Sequence, residues 1–335
     1  MTGNGWLSAT GGMLQQSSLV RRADCEILAL GELEAKAGEF VVRSKAEATV
    51  RAYRRDLADF RAWCEARGFT CLPAKPKVLA LYLTDRAETL KVSTLNRRLC
   101  AIREAHRLAG LSVPTDDPTV TAVWAGIRRS KRVAVIEKSP LLTSQIRAIA
   151  VQMPRDLRGL RDRAMLLVGF AGALRRSELA GLDVEDVRFE PEGVIINLRR
   201  SKTDQEGQGR LLAVPFGRGP ITCPVRALRA WLDAAAVTAG PIFRRIDWHA
   251  QLHDERVSAR TVARIVKRYC AGVGLDADLY AGHSLRAGFA TSAALSGASE
   301  RSIMTQTGHK SVAMVRRYIR LGTLWEENAA DLLGL

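Results

Sequence analysis

The chain has 335 residues, which is enough for two domains of usual size. Hydrophobic residues make up 47% of it, a share that supports a folded core and excludes wholesale disorder. The formal net charge of +16 is carried largely by arginine, whose guanidinium group forms bidentate pairs with phosphate. Nucleic acid is therefore the simplest partner.

A membrane surface is the competing explanation for this charge, but no basic amphipathic anchor stands out. No apolar run reaches the ~20 residues of a membrane span. The first 16 residues lack the order of charged, apolar and small residues that marks a signal peptide. The six cysteines are scattered without a Cys-x-x-Cys pair, which predicts reduced thiols in a cytoplasmic protein rather than disulfides or a zinc site.

The N-terminal part of the chain is predicted to be helical. Residues 1–43 begin rich in glycine, serine and glutamine and are expected to form a flexible arm. Ser44 opens a capping box with Glu47, and apolar residues at helical spacing follow as far as Trp63. Residues 44–130 are thus predicted to form a compact all-helical domain. Further helical patterns lie at 78–87, 93–108 and 119–127.

A basic, weakly patterned segment, 131–140, ends in a proline and is predicted to be a linker. A solvated helix end is the alternative, whereas a nucleic-acid partner favours a basic linker that crosses a phosphate backbone. The second domain is predicted to cover residues 141–322. The tail, residues 323–335, has Trp325, Ala329 and Leu332/Leu333 on one face of a predicted amphipathic helix.

The second domain is predicted to be mixed α+β. Thr143 is expected to cap a short helix, and a long apolar helix follows at 160–173. β-rich runs at 194–198 and 211–214 flank the polar stretch 201–209, which predicts a hairpin with a long tip. The fold class is therefore mainly α with a small antiparallel sheet. Further helices are predicted at 223–237, 258–271, 284–296, 300–306 and 311–320.

The residues that suit phosphodiester chemistry also lie in the second domain. Attack by a phenol on a phosphodiester requires cations for the non-bridging oxygens, an acid for the leaving oxygen and a base for the phenol. A bound metal can supply these effects, but no carboxylate cluster suggests one, so protein cations are expected to act without a cofactor. The candidates, in chain order, are Arg175, Lys202, His283, Arg286, His309 and Tyr318.

Each candidate alone is a weak signal. A lone helical tyrosine is usually a packing residue, and a His-x-x-Arg pair such as His283 and Arg286 is more often on the surface. Arg175 is equally explained as an ion-pair partner of Glu178. A solvated loop lysine would explain Lys202, and an ordinary helix-start residue would explain His309. The order and spacing of the whole set indicate the chemistry.

This set resembles the signature of the tyrosine recombinase (phage integrase) family, which is Arg, Lys, His-x-x-Arg, His or Trp, and Tyr. The resemblance spans about residues 44–320, and register with Ser177 and Glu178 assigns the first family arginine to Arg175 rather than Arg176. Within the family, the chain is most similar to Cre-type site-specific recombinases. The segments that carry the resemblance are ALRRSELAGL (173–182), RRSKTDQEGQG (199–209), GHSLRAGFAT (282–291), TGHKS (307–311) and VRRYIR (315–320).

The resemblance implies a SAM-like, core-binding N-terminal domain, a catalytic domain and a role for each candidate. Arg175 and Arg286 would clamp the scissile phosphate, and Lys202 would protonate the 5′-hydroxyl leaving group. His283 would accept the phenol proton or bind the phosphate, and His309 would support a non-bridging oxygen. Glu178 would orient the neighbouring side chains, and Tyr318 would form a 3′-phosphotyrosine.

The partners implied by the resemblance are double-stranded DNA with inverted-repeat recombination sites and other copies of the chain. Arg260 matches a Cre-type Ser-x-Arg that presents an arginine to guanine in the major groove. The tail would dock on a neighbouring subunit in a homotetramer on DNA, the free chain being a monomer or weak oligomer; docking on its own subunit is the alternative. Hypothesised backbone contacts in the first domain, each equally explained by a solvated basic face, are Thr49, Arg51, Lys91, Asn96, Arg97 and Arg103.

The function expected from the resemblance is site-specific strand breakage and rejoining in integration, excision or resolution. The expected location is the cytoplasm of a bacterium, at the nucleoid, with the gene on a chromosome, phage or plasmid. Two other functions stay open. A type IB topoisomerase shares this chemistry without synapsis of two duplexes, and a DNA-binding protein could keep the fold without catalysis, although every signature residue is present.

Overall fold

The computed structural model describes residues 45–131, 138–199, 209–309 and 311–322, with no side chains described at 320–322. The chain divides into two compact units, Met1–Ala134 and Val135–Leu335. The predicted arm, Lys202 and the predicted tail helix lie outside the described residues. Within the described ranges, no helix combines the length and apolar character that membrane crossing requires.

The described part of the first unit is helical, as the sequence predicts. Its helices are α1 (Glu47–Glu65), α2 (Pro76–Ala87), α3 (Val92–Leu108) and α4 (Pro118–Ser130). The predicted start of α1 is wrong because the N-cap is Ala46, which makes no side-chain capping hydrogen bond. The helix thus begins at Glu47, which the capping-box prediction had placed in the third helical position.

The core of the first unit forms where the apolar faces of these helices meet. Phe60 and Trp63 of α1 pack edge-on against Tyr82 of α2, with ring centroids 4.8 and 5.4 Å away. The predicted inner side of α3 is confirmed, since Leu95, Leu99, Ile102 and His106 are all buried. The His106 ring is held structurally, with Nε2 accepting from the Ala74 amide at 2.9 Å and Nδ1 2.8 Å from the Ile102 carbonyl.

Buried charge in the first unit is paired. Asp56 is only 2% exposed and accepts two hydrogen bonds from Arg97, at 2.7 and 3.0 Å. Asp59 accepts from the Tyr82 hydroxyl at 2.8 Å and also from Arg86 and Arg98. These carboxylates connect three helices of the unit, because a buried charge is tolerated only when it is paired and hydrogen-bonded.

The second unit combines helices with two small antiparallel sheets. Its central helix, α6, packs against α8 and α10. Buried Trp231 of α8 donates from Nε1 to the Ile242 carbonyl at 2.8 Å and is the largest fully buried side chain described. The helices are α5 (Thr143–Gln152), α6 (Leu157–Ala171), α7 (Arg176–Gly181), α8 (Pro224–Ala234), α9 (Ala259–Gly272), α10 (His283–Leu295), α11 (Glu300–Thr307) and α12 (Val312–Gly322).

The predicted hairpin is confirmed as β2 (Gly193–Leu198) and β3 (Arg210–Pro215), which pair antiparallel with Leu198 opposite Arg210. A third strand that the sequence pattern did not predict, β1 (Val187–Glu190), pairs with β2. A second hairpin, β4 (Arg244–Ile246) and β5 (Leu252–Arg256), was also missed. Its residues are mostly polar and exposed, so no alternating apolar pattern marks it.

Several helix boundaries in the second unit differ from prediction, and two of the differences have a clear local cause. Leu142, not Thr143, is the N-cap of α5, and its amide donates to the Gln145 side chain at 2.8 Å. Helix α6 ends at Ala171, two residues early, and the next turn places Ala173 at a positive φ of 48°. That conformation is unusual for a residue with a side chain, and it orients the Ala173 carbonyl used in the active site.

Candidate active site

The turn after α6 delivers Arg175 to the N-terminus of α7. Its amide donates to Glu178 Oε2 at 2.8 Å, and its Nη1 donates to Glu178 Oε1 at 2.5 Å. Glu178 is 7% exposed, so this carboxylate both caps the helix and fixes the arginine. The neighbouring Arg176 is exposed. Of the two arginines, Arg175 is thus the one that a buried carboxylate holds in place, and its assignment as the family arginine stays a prediction.

Arg286 lies in the first turn of α10 and is only 1% exposed. Its Nη1 donates to the Ala173 carbonyl at 2.8 Å, while its buried Nη2 has no hydrogen-bond partner among the described residues. Burial, reinforced by the charge of Arg175, lowers the pKa of Arg286 to about 10. A buried donor without an acceptor is costly, and a phosphate oxygen would satisfy it.

Tyr318 lies in α12 and faces the N-terminus of α10. Its hydroxyl is 3.2 Å from Nε2 of His283, within hydrogen-bond distance. The side chain is 9% exposed and packs in a small apolar cluster with Ala287, Ile303 and Val315. Packing thus fixes the ring while the hydroxyl meets a group that can accept its proton.

His309 follows the left-handed residue that ends α11, Gly308, whose φ is 66°. Its ring stacks on that of Tyr318 with centroids 5.8 Å apart and an interplanar angle of 29°. Burial, followed by the charges of Arg286 and Arg175, lowers the pKa of His309 to about 4. The imidazole is therefore neutral at pH 7, and its buried Nδ1 has no partner in the described part of the chain.

The structure brings together five of the six predicted active-site residues: Arg175, His283, Arg286, His309 and Tyr318. Lys202 belongs to the segment between β2 and β3 that lies outside the described residues. Within those residues, no group of three or more His, Cys, Asp or Glu side chains could hold a metal ion. The five described cysteines are free.

Sequence reasoning missed Arg210, the first residue of β3. Its Nη1 donates to the carbonyls of Thr305 and Gln306, at 2.9 and 3.0 Å, in the last turn of α11. Its charge contributes to the lowered pKa values of both Arg286 and His309. The only available sequence signal was its position at the base of the hairpin that carries Lys202.

The predicted DNA contacts differ in how free their side chains are. Arg97 and Arg103 are held within the first unit, by Asp56 and by Thr115 with Asp116. Arg51 pairs with Glu47 one turn earlier. The side chains of Lys91, Asn96 and Arg260 are exposed, and that of Thr49 is half-buried.

Arg260 lies in the first turn of α9. The helix is capped by Ser258, whose Oγ accepts from the Thr261 amide at 3.1 Å, so the serine fixes the turn that carries the exposed arginine. Beside this helix is a cleft of about 620 Å³. Its lining includes the arginines 158, 161, 245, 256, 264 and 268.

Comparison with known proteins agrees with this geometry. The phage integrase family model matches residues 140–323, and the model of the phage integrase N-terminal SAM-like domain matches residues 40–110. An integrase/recombinase xerD homolog from Selenomonas ruminantium is 44% identical over 303 residues, covering 89% of each chain. The recombinase Cre of Escherichia phage P1 is 27% identical over 282 residues, covering 77% of this chain and 80% of that protein.

The fold is also that of a solved recombinase. The XerH site-specific recombinase, in a post-cleavage complex with its palindromic difH substrate, aligns with a TM-score of 0.62 at 14% identity, over 85% of this chain and 80% of that chain. The family model covers more than half of the sequence and includes all the candidate active-site residues. The chain therefore belongs to the phage integrase (tyrosine recombinase) family.

Proposed function

We propose that this recombinase cleaves one DNA strand at a time through Tyr318 and then rejoins it to a new partner strand. The observation that carries the proposal is the 3.2 Å contact between the Tyr318 hydroxyl and His283 Nε2, beside Arg286 and an Arg175 that already binds the nearby Glu178 carboxylate. A phenol with an adjacent base and cations for the phosphate has the parts needed for transesterification.

In the proposed reaction, His283 accepts the phenol proton as Tyr318 Oη attacks phosphorus. The bond to the 5′-oxygen breaks, and Lys202 supplies the proton that makes this oxygen a hydroxyl. Arg175 and Arg286 hold the non-bridging oxygens, and the neutral His309 ring donates an N–H to one of them. The product is a 3′-phosphotyrosine that keeps the bond energy, so attack by another 5′-hydroxyl reverses the step without ATP.

The nucleophile is tested on duplexes selected for binding from a random pool with the Tyr318→Phe protein. Wild type should give an SDS-resistant covalent complex on these duplexes, and Tyr318→Phe should bind them without forming it. The matched control is Tyr280→Phe, since Tyr280 is also buried in the second unit but hydrogen-bonds with Gln145 at 3.1 Å. A covalent complex with Tyr318→Phe would exclude Tyr318 as the nucleophile.

The acid role proposed for Lys202 is tested with a bridging 5′-phosphorothiolate, whose sulfur leaves without a proton. Lys202→Ala should cleave ordinary DNA far more slowly than wild type, by about 10²–10⁴-fold for a lost general acid. The same variant should regain most of its rate on the phosphorothiolate. Equal loss on both substrates would remove Lys202 from the acid role.

The DNA interface in the second unit is proposed to include α9 and its basic cleft. Arg260 would read a base because the side chain is exposed on the first turn of a capped helix. Arginines in the cleft would hold the backbone. Arg260→Ala should relax selectivity at one base pair by about 1–3 kcal/mol, measured by competition binding; uniform weakening across sequences would assign it to the backbone instead.

Assembly on DNA is proposed to use the tail, residues 323–335, of a neighbouring subunit. A groove of about 480 Å³ between α11 and α12 is lined by Val312, Ala313 and Ile319, with Glu300 and Arg316 at its edge. The predicted apolar face of the tail suits this lining, and the tail starts directly after α12. Such head-to-tail docking closes into a ring.

A chain that ends at Gly322 should bind a single site but lose the complex that joins two duplexes, as measured by gel shift and mass photometry. Retained synapsis would show that the tail docks on its own subunit.

The proposed cellular location is the cytoplasm, at the nucleoid.

A further inference from the structure

Arg210, the first residue of β3, binds the C-terminal end of α11 next to the candidate active site. Its Nη1 donates to the carbonyls of Thr305 and Gln306, two of the last-turn acceptors that α11 leaves without a helical partner. A cation at this end also opposes the partial negative charge of the helix terminus. Its Nη1 is thus occupied by the protein, unlike the buried Nη2 of Arg286.

The guanidinium lies against the next residue of the turn, Gly308. A Cβ atom at this position would be 2.9 Å from both Cζ and Nη1 of Arg210, closer than real Cβ contacts. The φ of Gly308 is +66°, which disfavours any other residue. Arg210 therefore lies directly against the backbone turn that precedes His309.

A second tie fixes the same helix end. The Gln306 side chain donates from Nε2 to the Ala171 carbonyl at 2.9 Å and to the Ala213 carbonyl at 3.2 Å. Ala171 ends α6, whose turn leads to Arg175, and Ala213 lies on β3 with Arg210. The contacts of Arg210 and Gln306 thus connect three segments: the start of β3, the end of α6 that precedes Arg175, and the last turn of α11 that precedes His309.

Arg210 is electrostatically coupled to the site. Burial, with the nearby charge of Arg175, lowers the pKa of Arg210 itself. The charged or titratable groups that face His309 are Arg286, Arg175, His283 and Arg210, and the Tyr318 ring stacks on it. Arg210 is thus close enough to act on His309 through space as well as through the backbone.

We propose that Arg210 is a positioning residue for DNA cleavage, which holds the turn at Gly308 so that His309 stays against Tyr318. This proposal rests on the proposed function, because a held His309 matters only if that side chain supports the reacting phosphate. It gives the hairpin base a role separate from that of Lys202. In this role the cation acts through the two carbonyls that its Nη1 binds.

The rate test compares single-turnover cleavage of bound DNA. Arg210→Ala should slow cleavage by about 10–100-fold, the scale expected when a supporting contact lets a reacting group move by about 1 Å. Arg210→Lys keeps the charge and should regain part of the rate. The control is Arg163→Ala. Arg163 also caps a helix end, donating to the Met153 carbonyl at 2.9 Å, but the titratable groups that act on it are Arg155 and Tyr269 rather than active-site residues.

The decisive readout is the titration of His309, followed by carbon-detected NMR of labelled histidine in the free full-length chain. The signal is assigned by its loss in His309→Gln. Arg210→Ala should raise the pH at which His309 titrates, because a nearby cation is removed and the ring gains access to water. Arg163→Ala should leave it unchanged. An unmoved His309 signal in Arg210→Ala would overturn the positioning role.

A pair of glycine variants tests the contact itself. Gly308→Ala brings both backbone strain and a collision with Arg210, whereas Gly297→Ala, at φ +77°, has no atom within 4 Å of its new Cβ. Gly308→Ala should therefore shift the His309 titration in wild type but less in the Arg210→Ala background. Equal shifts in both backgrounds would contradict the contact. These titrations need no DNA, so failure of the covalent-complex experiment with Tyr318 would disprove the proposed function separately.

Discussion

Arg97 in the first unit and Arg286 in the second have opposite electrostatic surroundings. In the first unit, Arg97 donates twice to the buried carboxylate of Asp56, and this hydrogen bonding raises the pKa of Arg97. In the second, burial lowers the pKa of Arg286 to about 10, and the charges of Arg175 and Arg210 add to the effect. Arg97, which holds helices of the first unit together, is supplied with counter-charge, whereas Arg286, which we propose to bind the phosphate, is short of it.

Glu178 supplies the only carboxylate among the described groups that shift the pKa of Arg286. The Tyr318 phenol is the one other group among them that raises this pKa. The Glu178 carboxylate is already bound to Arg175 by the side chain and the amide. The site therefore keeps a surplus of positive charge within a largely buried pocket. Such a surplus destabilises the free protein and favours the bound phosphodiester.

The first prediction tests the surplus directly with Arg286→Gln. Cleavage of bound DNA should slow by about 10²–10³-fold, as expected when one preorganised donor to transition-state charge is lost. The free energy of unfolding should stay the same or rise, because the change removes a buried cation whose Nη2 has no partner among the described residues. Quench-flow cleavage and urea unfolding measure the two effects. A large loss of stability would show that Arg286 is a structural cation like Arg97.

The second prediction concerns the first unit, where Asp56→Asn removes the negative charge that pairs with Arg97. Loss of the buried carboxylate should destabilise α1 and α3 by about 2 kcal/mol, since hydrogen bonds to charged groups contribute about 1.5–3 kcal/mol each and Arg97 is partly solvated. Amide hydrogen exchange of peptides from the two helices measures this locally. Cleavage by DNA-bound enzyme should change little. Unchanged exchange together with slowed cleavage would reverse the assigned roles.

The two units also differ in what their sequences reveal. Leu95, Leu99, Ile102 and His106 follow the helical period, so the inner side of α3 could be predicted from local pattern alone. No local signal could show that Arg97 pairs with a residue 41 positions earlier. The structure gives that guanidinium a partner within the unit while the side chain stays exposed, and the hypothesised DNA contact there stays a prediction.

The active site could be predicted only through the family resemblance. Arg175, His283 and Tyr318 lie on three separate helices, and nothing in their separate segments encodes the 3.2 Å contact between two of them. Arg210 was missed for the same reason, because the carbonyls that it binds are 95 and 96 residues later in the chain. Hydrophobic periodicity indicates local secondary structure, and it carries no information on which polar groups pair across long stretches of sequence.

The third prediction concerns acid stability and has the smallest effect. The pKa of His309 in the folded chain is about 4, below its ordinary 6.5, so between these values the unfolded chain binds a proton that the folded one does not. Stability of the second unit should therefore fall as the pH is lowered from 6.5 to 4. Burial works against the Asp59 carboxylate, but Tyr82, Arg98 and Arg86 outweigh it and lower its pKa from 3.8.

The first unit should accordingly lose the contribution of Asp59 only at pH values below 3.8, after the second unit has lost that of His309. Amide exchange of α1 and α11 peptides at pH 7 and 5, corrected for the intrinsic rate, measures the order. His309→Gln should flatten the pH dependence of α11 and leave that of α1 unchanged. If α1 weakened first, or if His309→Gln left the α11 slope intact, the burial of His309 beside Arg286 and Arg175 would not be what makes the second unit sensitive to acid.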